Sequence, residues 1–235
     1  MSILITAATS KEMQAYIHTE KEQDQFGEQI CCLVTGVGPV ETTLSLAGLL
    51  QRKSTKSTID CVINFGIAGA YRENNTSVQA KMLDLCLAEQ EVFGDLGIQL
   101  ADTVEPLPED LSVYNHFVLD SGLLSTAKQL LRDAGPGYSS TQGTFVTVSC
   151  ASGTLHRGNQ LGRQFHGLCE NMEGAAVARV CQEFSLPCLE IRCISNMVED
   201  RDQEKWQLQE ACTQAGKAAA TIAAGFVANL PTCQI

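Results

Sequence analysis

Apolar runs bounded by Gly, Pro, Ser and Asp alternate along this chain with segments of helical period. The spacing predicts strands over Ile3–Ala8, Gln29–Thr35, Asp60–Phe65, Met82–Glu89, Thr144–Ser149 and Pro187–Ser195. Helices are predicted over Ser10–His18, Pro39–Arg52, Leu123–Asp133, Glu173–Phe184 and Gln203–Asn229. Strands that alternate with helices point to a sheet of mainly parallel strands joined by crossover helices. The expected class is therefore α/β, a single domain over residues 1–235 with a central mixed, mostly parallel twisted sheet flanked by helices.

Local chemistry supports individual elements. Gly38-Pro39 puts proline at a first helical turn, where its missing N–H costs nothing. In the last helix Ala211, Ala215, Ala218, Ile222 and Phe226 recur at three- and four-residue spacing as one inward stripe. The stretches Asp102–Ser121 and Ala134–Gln142, with their prolines and glycines, read as the two longest loops. No internal repeat or linker divides the chain.

Composition narrows the partners. Hydrophobic residues make up 44% and charged residues 18%, which suits a sizeable buried core. A formal charge of −11 with no basic cluster would repel a phosphate backbone, so no nucleic acid is expected to bind, and a small ligand fits better. The start enters an apolar strand without a basic, cleavable leader, and the longest apolar stretch, Ala215 to Leu230, is shorter than the span of about 20 residues a bilayer requires. No membrane association is expected, and the cytoplasm is the expected location. Most of the eleven cysteines lie in apolar runs, among them Cys61, Cys86, Cys181, Cys188 and Cys193, and read as buried reduced thiols. None pairs with the four histidines at zinc-ligand spacing, so no metal and no cofactor are expected.

Ligands of open α/β sheets bind beyond the carboxyl ends of the strands. Four segments there are unusual: Ala7–Glu12, Thr35–Pro39, Phe65–Ala70 and Ile191–Asn196. Gly36 and Gly38, with Asp60 downstream, invite a dinucleotide-binding reading, but Glu41 stands where that motif needs its third glycine. The glycines equally serve a tight turn. Asn171-Met172-Glu173-Gly174 places a charged residue where an apolar strand passes into an Ala-rich helix, which is either a dipole-favoured helix-start acid or a functional carboxylate.

Taken together these segments resemble the nucleoside phosphorylase/nucleosidase superfamily over nearly the whole chain. The resemblance rests on Glu12, the Thr35-Gly-Val-Gly38 turn, Asn64-Phe-Gly-Ile-Ala-Gly69, Asn171-Met-Glu173-Gly and Arg192-x-x-Ser195-Asn196. Within it, Glu89-Gln-Glu-Val-Phe-Gly-Asp-Leu-Gly97 and Ser195–Asp202 with Trp206 look like the futalosine hydrolases of the alternative menaquinone pathway.

The resemblance implies a nucleoside phosphorylase-like fold and hydrolysis of a purine nucleoside, futalosine, by at least a homodimer. It assigns Glu12 to activation of water and Glu173 to the ribose hydroxyls, with Met172 packing under the sugar. Asn196 would hold the departing base. Its amide cannot donate a proton as an acid; it can bond a ring nitrogen and a 6-oxo group, which suits hypoxanthine over adenine. Ile67, Ala68, Gly69, Gly153 and Thr154 would contact ribose or base, Ser195 would support the amide, and Arg192 would brace the acids. Trp206 would close over the ligand, or belong to the core. The carboxylate of futalosine's side arm needs a cation, and Arg201, Arg157 and Arg72 are all candidates. Met82–Leu85 replaces the glycine-aspartate turn usual in relatives, leaving the start of that strand open.

Three other readings stay open: a methylthioadenosine/S-adenosylhomocysteine-type nucleosidase, a purine nucleoside phosphorylase, and a non-catalytic nucleoside-binding domain. A phosphorylase needs an anion cradle, and the segments Thr9–Glu12 and Thr35–Pro39 contain no arginine.

Overall fold

Every strand near the centre of this protein is positioned by β3, Cys61–Ala70. A computed structural model describes residues 2–23, 29–52, 59–111 and 113–228. Before β3 come β1 (Ile3–Ala7), α1 (Ser10–Gln23), β2 (Ile30–Val34) and α2 (Pro39–Leu50). After it come β4 (Leu85–Phe93), a small hairpin of β5 (Ile98–Gln99) and β6 (Val104–Glu105), β7 (His116–Val118), α3 (Ser121–Ala134) and β8 (Ser140–Thr147). The chain continues through α4 (Leu155–Phe165), β9 (Gly167–Asn171), α5 (Gly174–Phe184), β10 (Cys188–Met197) and α6 (Leu208–Ala228).

Along one edge, β3 pairs in parallel with β10 from Val62 to Ala70. The other edge is shared: parallel β1 takes Cys61–Asn64, and antiparallel β9 takes Gly69 and Ala70. Because β10 pairs with β4, β4 with β8 and β8 with β9, the sheet closes on itself through β3. β1 and β2 extend it on one side, and β7 lies on β4. Side chains alternate between the two faces. Ile5, Ile63, Phe65 and Ile191 face the layer that holds Tyr16 of α1 and Ala215, Ile222 and Phe226 of α6. Leu4, Val62, Cys86 and Phe145 face the opposite layer with Leu46 of α2 and Val177 of α5.

The α/β class and the inward stripe of the last helix hold, since Ala211, Ala215, Ala218, Ile222 and Phe226 are all buried. Several boundaries differ. β3 continues through Gly66–Ala70, past the expected end at Phe65; a Cβ at Gly66 would meet Glu12 and Arg192, and one at Gly69 would meet Val198 and Asn196. β4 runs from Leu85 to Phe93, later than expected. The last helix begins at Leu208, after a separate turn over Gln203–Lys205 that Asp202 caps, while Asn229 lies outside the described residues. α4 was not anticipated as an element, and β9 only as an apolar strand without stated bounds leading into Glu173. In α4, Gly158 packs against Val198 and Gly162 against Tyr71, so close approach replaces the bulky apolar stripe that a sequence pattern detects. The supposed loop Asp102–Ser121 contains β6, β7 and a turn over Glu109–Leu111; Ala134–Gln142 contains a turn over Pro136–Tyr138 and the start of β8. The five cysteines named above are buried and free, and no helix among the described residues is long and apolar enough to cross a membrane.

Candidate functional site

Between the end of its pairing with β1 and the start of its pairing with β9, one edge of β3 has no strand partner, and side chains satisfy the backbone there. Ile67 N donates to Glu12 Oε1 at 3.2 Å, and Ile67 O accepts from Arg192 Nη1 at 3.3 Å. Glu12 is delivered by a capping box at the start of α1. Thr9 Oγ1 accepts from Glu12 N at 3.2 Å, while Glu12 Oε2 accepts from Thr9 N at 3.0 Å and Thr9 Oγ1 at 2.7 Å. It is thus a helix-start acid, but a buried one whose second oxygen faces the sheet.

Glu173 approaches from the start of α5. Its Oε1 accepts from Gly38 N at 3.1 Å, and its Oε2 lies 3.4 Å from Arg192 Nη1. Gly38 exposes that N–H through a left-handed φ of 87°, and Gly36 has φ 88°. Glu41, which spoils a dinucleotide motif, packs directly against Gly36, where a Cβ would stand 2.7 Å from the Glu41 Cβ. Burial pushes the Glu173 carboxyl above its ordinary range, and the Arg192 charge and Gly38 N–H oppose that push. Arg192 is 2% exposed, donates from Nε to Glu190 Oε1 at 2.8 Å, and keeps Nη2 without a partner.

The other end of the site is built on Gly69. In the sheet register Gly69 lies between Glu170 of β9 and Asn196 of β10, whose pairing shifts by one residue at Ser195. A Cβ on Gly69 would meet Val198 Cγ2 at 3.0 Å, Asn196 Nδ2 at 3.1 Å and Glu170 Cγ at 3.6 Å, so the glycine lets an amide and a carboxyl approach the same point of β3. Ser195 Oγ lies 2.8 Å from Asn196 Oδ1, and Nδ2 donates to Met197 O at 3.4 Å, which leaves the second hydrogen of the amide for a further acceptor. Glu170 Oε1 accepts from Ser152 N at 2.8 Å, whereas Oε2 is buried without a partner.

These groups line one cavity of about 370 Å³, a size that accommodates a small organic ligand. Glu12, Glu173, Asn196, Met172, Ile67, Ala68, Gly69, Arg192, Ser195 and Trp206 all reach it. Gly153 and Thr154 are not among its lining residues; Thr154 instead caps α4, accepting from Arg157 N. Nor do the three candidate side-arm arginines line it. Arg72 is paired with Glu199 at 2.6 Å, Arg157 is near Asp95 at 3.9 Å, and Arg201 lies 5.6 Å over the Trp206 ring. Sequence reasoning missed Glu170, although a carboxylate inside the apolar run Gly167-Leu-Cys-Glu170 was a visible signal. Val37 and Lys11, also at the cavity, gave none.

A model of the phosphorylase superfamily matches residues 4–228. The chain belongs to the phosphorylase superfamily. Among its relatives in that superfamily, the futalosine hydrolase of Thermus thermophilus is 31% identical over 79% of this chain and 77% of its own length. The 5′-methylthioadenosine/S-adenosylhomocysteine nucleosidase of Tolumonas auensis is 26% identical over 73% of this chain and 70% of its own. A futalosine hydrolase mutant structure from Helicobacter pylori superposes with a TM-score of 0.78 at 20% identity, covering 95% of this chain and 98% of that one. The phosphorylase-superfamily fold thus agrees with the closed sheet described above.

Proposed function

We propose that this phosphorylase-superfamily chain is an N-glycosidase that hydrolyses futalosine to hypoxanthine and dehypoxanthine futalosine. The observation that carries this reading is the convergence of Glu12, Glu173 and Asn196 on one cavity, with Glu170 beside Asn196. The higher identity to the Thermus futalosine hydrolase than to the Tolumonas nucleosidase supports the substrate.

The chemistry follows from the placement. Glu12, held by Thr9 and Ile67, takes a proton from a water that attacks the anomeric carbon. The bond from that carbon to the purine nitrogen breaks, its electron pair leaves with the base, and the base takes a proton from solvent water to become hypoxanthine while Glu12 returns its proton to solvent. Positive charge grows on the sugar ring meanwhile, and the buried Glu173 carboxyl, with the Arg192 charge opposing the upward push of burial, stabilises it while gripping the ribose hydroxyls. At the base end, the Asn196 amide donates to the 6-oxo group and the Glu170 carboxyl, which lines the same cavity, accepts from the neighbouring ring N–H. An adenine edge would present donor to donor and acceptor to acceptor at the same two points.

Hydrolysis is favoured over phosphorolysis because the glycine turn Thr35–Pro39 supplies no cationic side chain, and two buried carboxylates, Glu12 and Glu173, would repel phosphate. We place a homodimer within the same reading: Val37 lines the cavity and is 53% exposed, and Val40 and Leu44 on α2 are 76% and 69% exposed beside it. Chromatography of products from futalosine, aminofutalosine, inosine and methylthioadenosine, with and without phosphate, tests the assignment. Phosphate-independent release of hypoxanthine from futalosine is expected. Equal release of adenine from aminofutalosine or methylthioadenosine, or a strict need for phosphate, overturns it.

A further inference from the structure

Behind Arg192, away from the cavity lining, two more carboxyl groups are buried together. Glu91 of β4 is 0% exposed and Glu190 of β10 is 1% exposed. Both reach the underside of Gly174 at the start of α5, where a Cβ would collide with Glu91 Oε1 and with Glu190 Oε2. Every group around them is accounted for. Arg192 Nε donates to Glu190 Oε1 at 2.8 Å. Asn171 Nδ2 of β9 donates to Glu91 Oε1 at 2.6 Å, and Thr147 Oγ1 of β8 lies 2.8 Å from Glu91 Oε2. Thr147 Oγ1 itself accepts from Ala175 N of α5 at 2.7 Å, and its single hydrogen faces Glu91 Oε2 and, at the longer distance of 3.1 Å, Asn171 Oδ1. The thiols of Cys169 and Cys188 are also near.

Glu91 is therefore joined to Glu173 by two routes. The first is a line of charges from Glu190 to Arg192 to Glu173 Oε2. The second is main-chain: the Asn171 side chain that donates to Glu91 also accepts from Glu173 N at 2.9 Å and Gly174 N at 2.7 Å, holding the turn from which Glu173 projects. The charge balance requires a proton in this pair. Glu12, Glu173 and Glu190 already surround the single guanidinium, and a fourth carboxylate with no cation touching it would be buried uncompensated. Burial, and then the Glu190 charge, push the Glu91 carboxyl well above its ordinary range.

We propose that Glu91 and Glu190 act as one proton-sharing pair that positions Glu173 for the sugar, through Arg192 on one side and Asn171 on the other. The proposal rests on the nucleosidase reading of the cavity. Neither acid reaches the cavity lining; both are positioning residues. When the shared proton leaves, two adjacent carboxylates repel, Glu190 shifts on Arg192, and both supports of Glu173 move together.

Two substitutions test this. Glu91→Gln keeps a hydrogen-bond donor toward Glu190 but has no proton to lose; Glu91→Leu removes the hydrogen bonds at similar bulk. With whichever nucleoside the parent cleaves best, Glu91→Gln is expected to keep turnover within about tenfold and to lack the parent's fall in kcat/KM at alkaline pH. Glu91→Leu is expected to lose about 100-fold in kcat, the order expected when a reacting group is misplaced, with KM changed far less. An unchanged alkaline limb in Glu91→Gln, or a folded Glu91→Leu within threefold of the parent, overturns the proposal; should Glu91→Leu not fold, the pH profile of Glu91→Gln decides alone. Should the parent cleave no nucleoside, the functional reading fails, and the pair is still read by infrared difference spectroscopy of parent against Glu91→Gln. A protonated carboxylic carbonyl band at neutral pH, lost in the variant, supports the pair, and its absence from the parent overturns it.

Discussion

Glu12 and Arg192 meet over Gly66: a Cβ built there would stand 2.6 Å from Glu12 Oε1 and 2.7 Å from Arg192 Nη1. The missing side chain is what lets a carboxylate from α1 and a guanidinium from β10 occupy the same side of β3. Both are buried, and both are tied elsewhere, Glu12 to Thr9 and Arg192 to Glu190, so neither can swing clear. Gly66→Ala is expected to cost about 1–3 kcal/mol of stability in urea unfolding, the usual range for overpacking. It should lower kcat/KM by tenfold or more at substrate concentrations where the parent is active.

The capping role of Glu12 can be separated from its proposed chemistry. Glutamine serves in a capping box as glutamate does, but its amide N–H would face the Ile67 N–H that Glu12 Oε1 now accepts from, so Glu12→Gln should lose about 1–3 kcal/mol in urea unfolding and still fold. It cannot take a proton from water, and kcat should fall by about 10²–10⁴-fold. Product binding, followed by the fluorescence of the sole tryptophan at the cavity, should persist. Retention of parental turnover would remove Glu12 from the mechanism.

Base preference should follow the two groups flanking Gly69. Asn196→Asp is expected to shift the ratio of hypoxanthine to adenine release toward adenine by tenfold or more, because an acid can protonate the departing ring and no longer donates an amide hydrogen. Glu170→Gln is expected to weaken the 6-oxo preference without affecting the sugar end. Competition assays with paired 6-oxo and 6-amino nucleosides measure both, and an unchanged ratio in each variant would place base selection elsewhere.

Glu20 offers a pH prediction independent of the cavity. It is 0% exposed, takes the Tyr16 hydroxyl at 2.8 Å on Oε1, and leaves Oε2 without a partner. Burial raises its carboxyl above the ordinary value, and the Tyr16 hydrogen bond only partly opposes this. A raised folded-state value means the contribution to stability is full below the unfolded carboxylate range, about pH 4, and is lost as pH rises through the folded value. Glu20→Gln has no such loss, so the stability of the parent relative to this variant should decline as urea titrations move from mildly acid to neutral pH. A difference independent of pH would contradict the assignment.

Periodicity was enough to reveal most of the outer architecture. The Ala211–Phe226 stripe, the proline-led α2 and the apolar runs of β1 and β2 each carry their signal within a few adjacent residues, because they depend on local propensity and on which face is buried. α4 did not, since it packs through Gly158 and Gly162 rather than through large apolar side chains. At the site, the segments Asn171–Glu173 and Ser195–Asn196 stood out by motif, while Glu170 and Glu190 were not singled out and Glu91 entered only as part of the Glu89–Gly97 segment.

What the chain by itself determined was the kind of groups available: carboxylates within apolar runs, an amide at Asn196, and a formal charge of −11. Which groups act together was decided only by closure of the sheet. Hydrogen-bond register across β9, β3 and β10 brings Glu170, Gly69 and Asn196 side by side although they are far apart along the backbone. The unpartnered edge of β3 likewise exists only because β1 stops at Asn64 and β9 begins at Gly69, and no local pattern encodes where two distant strands leave a gap.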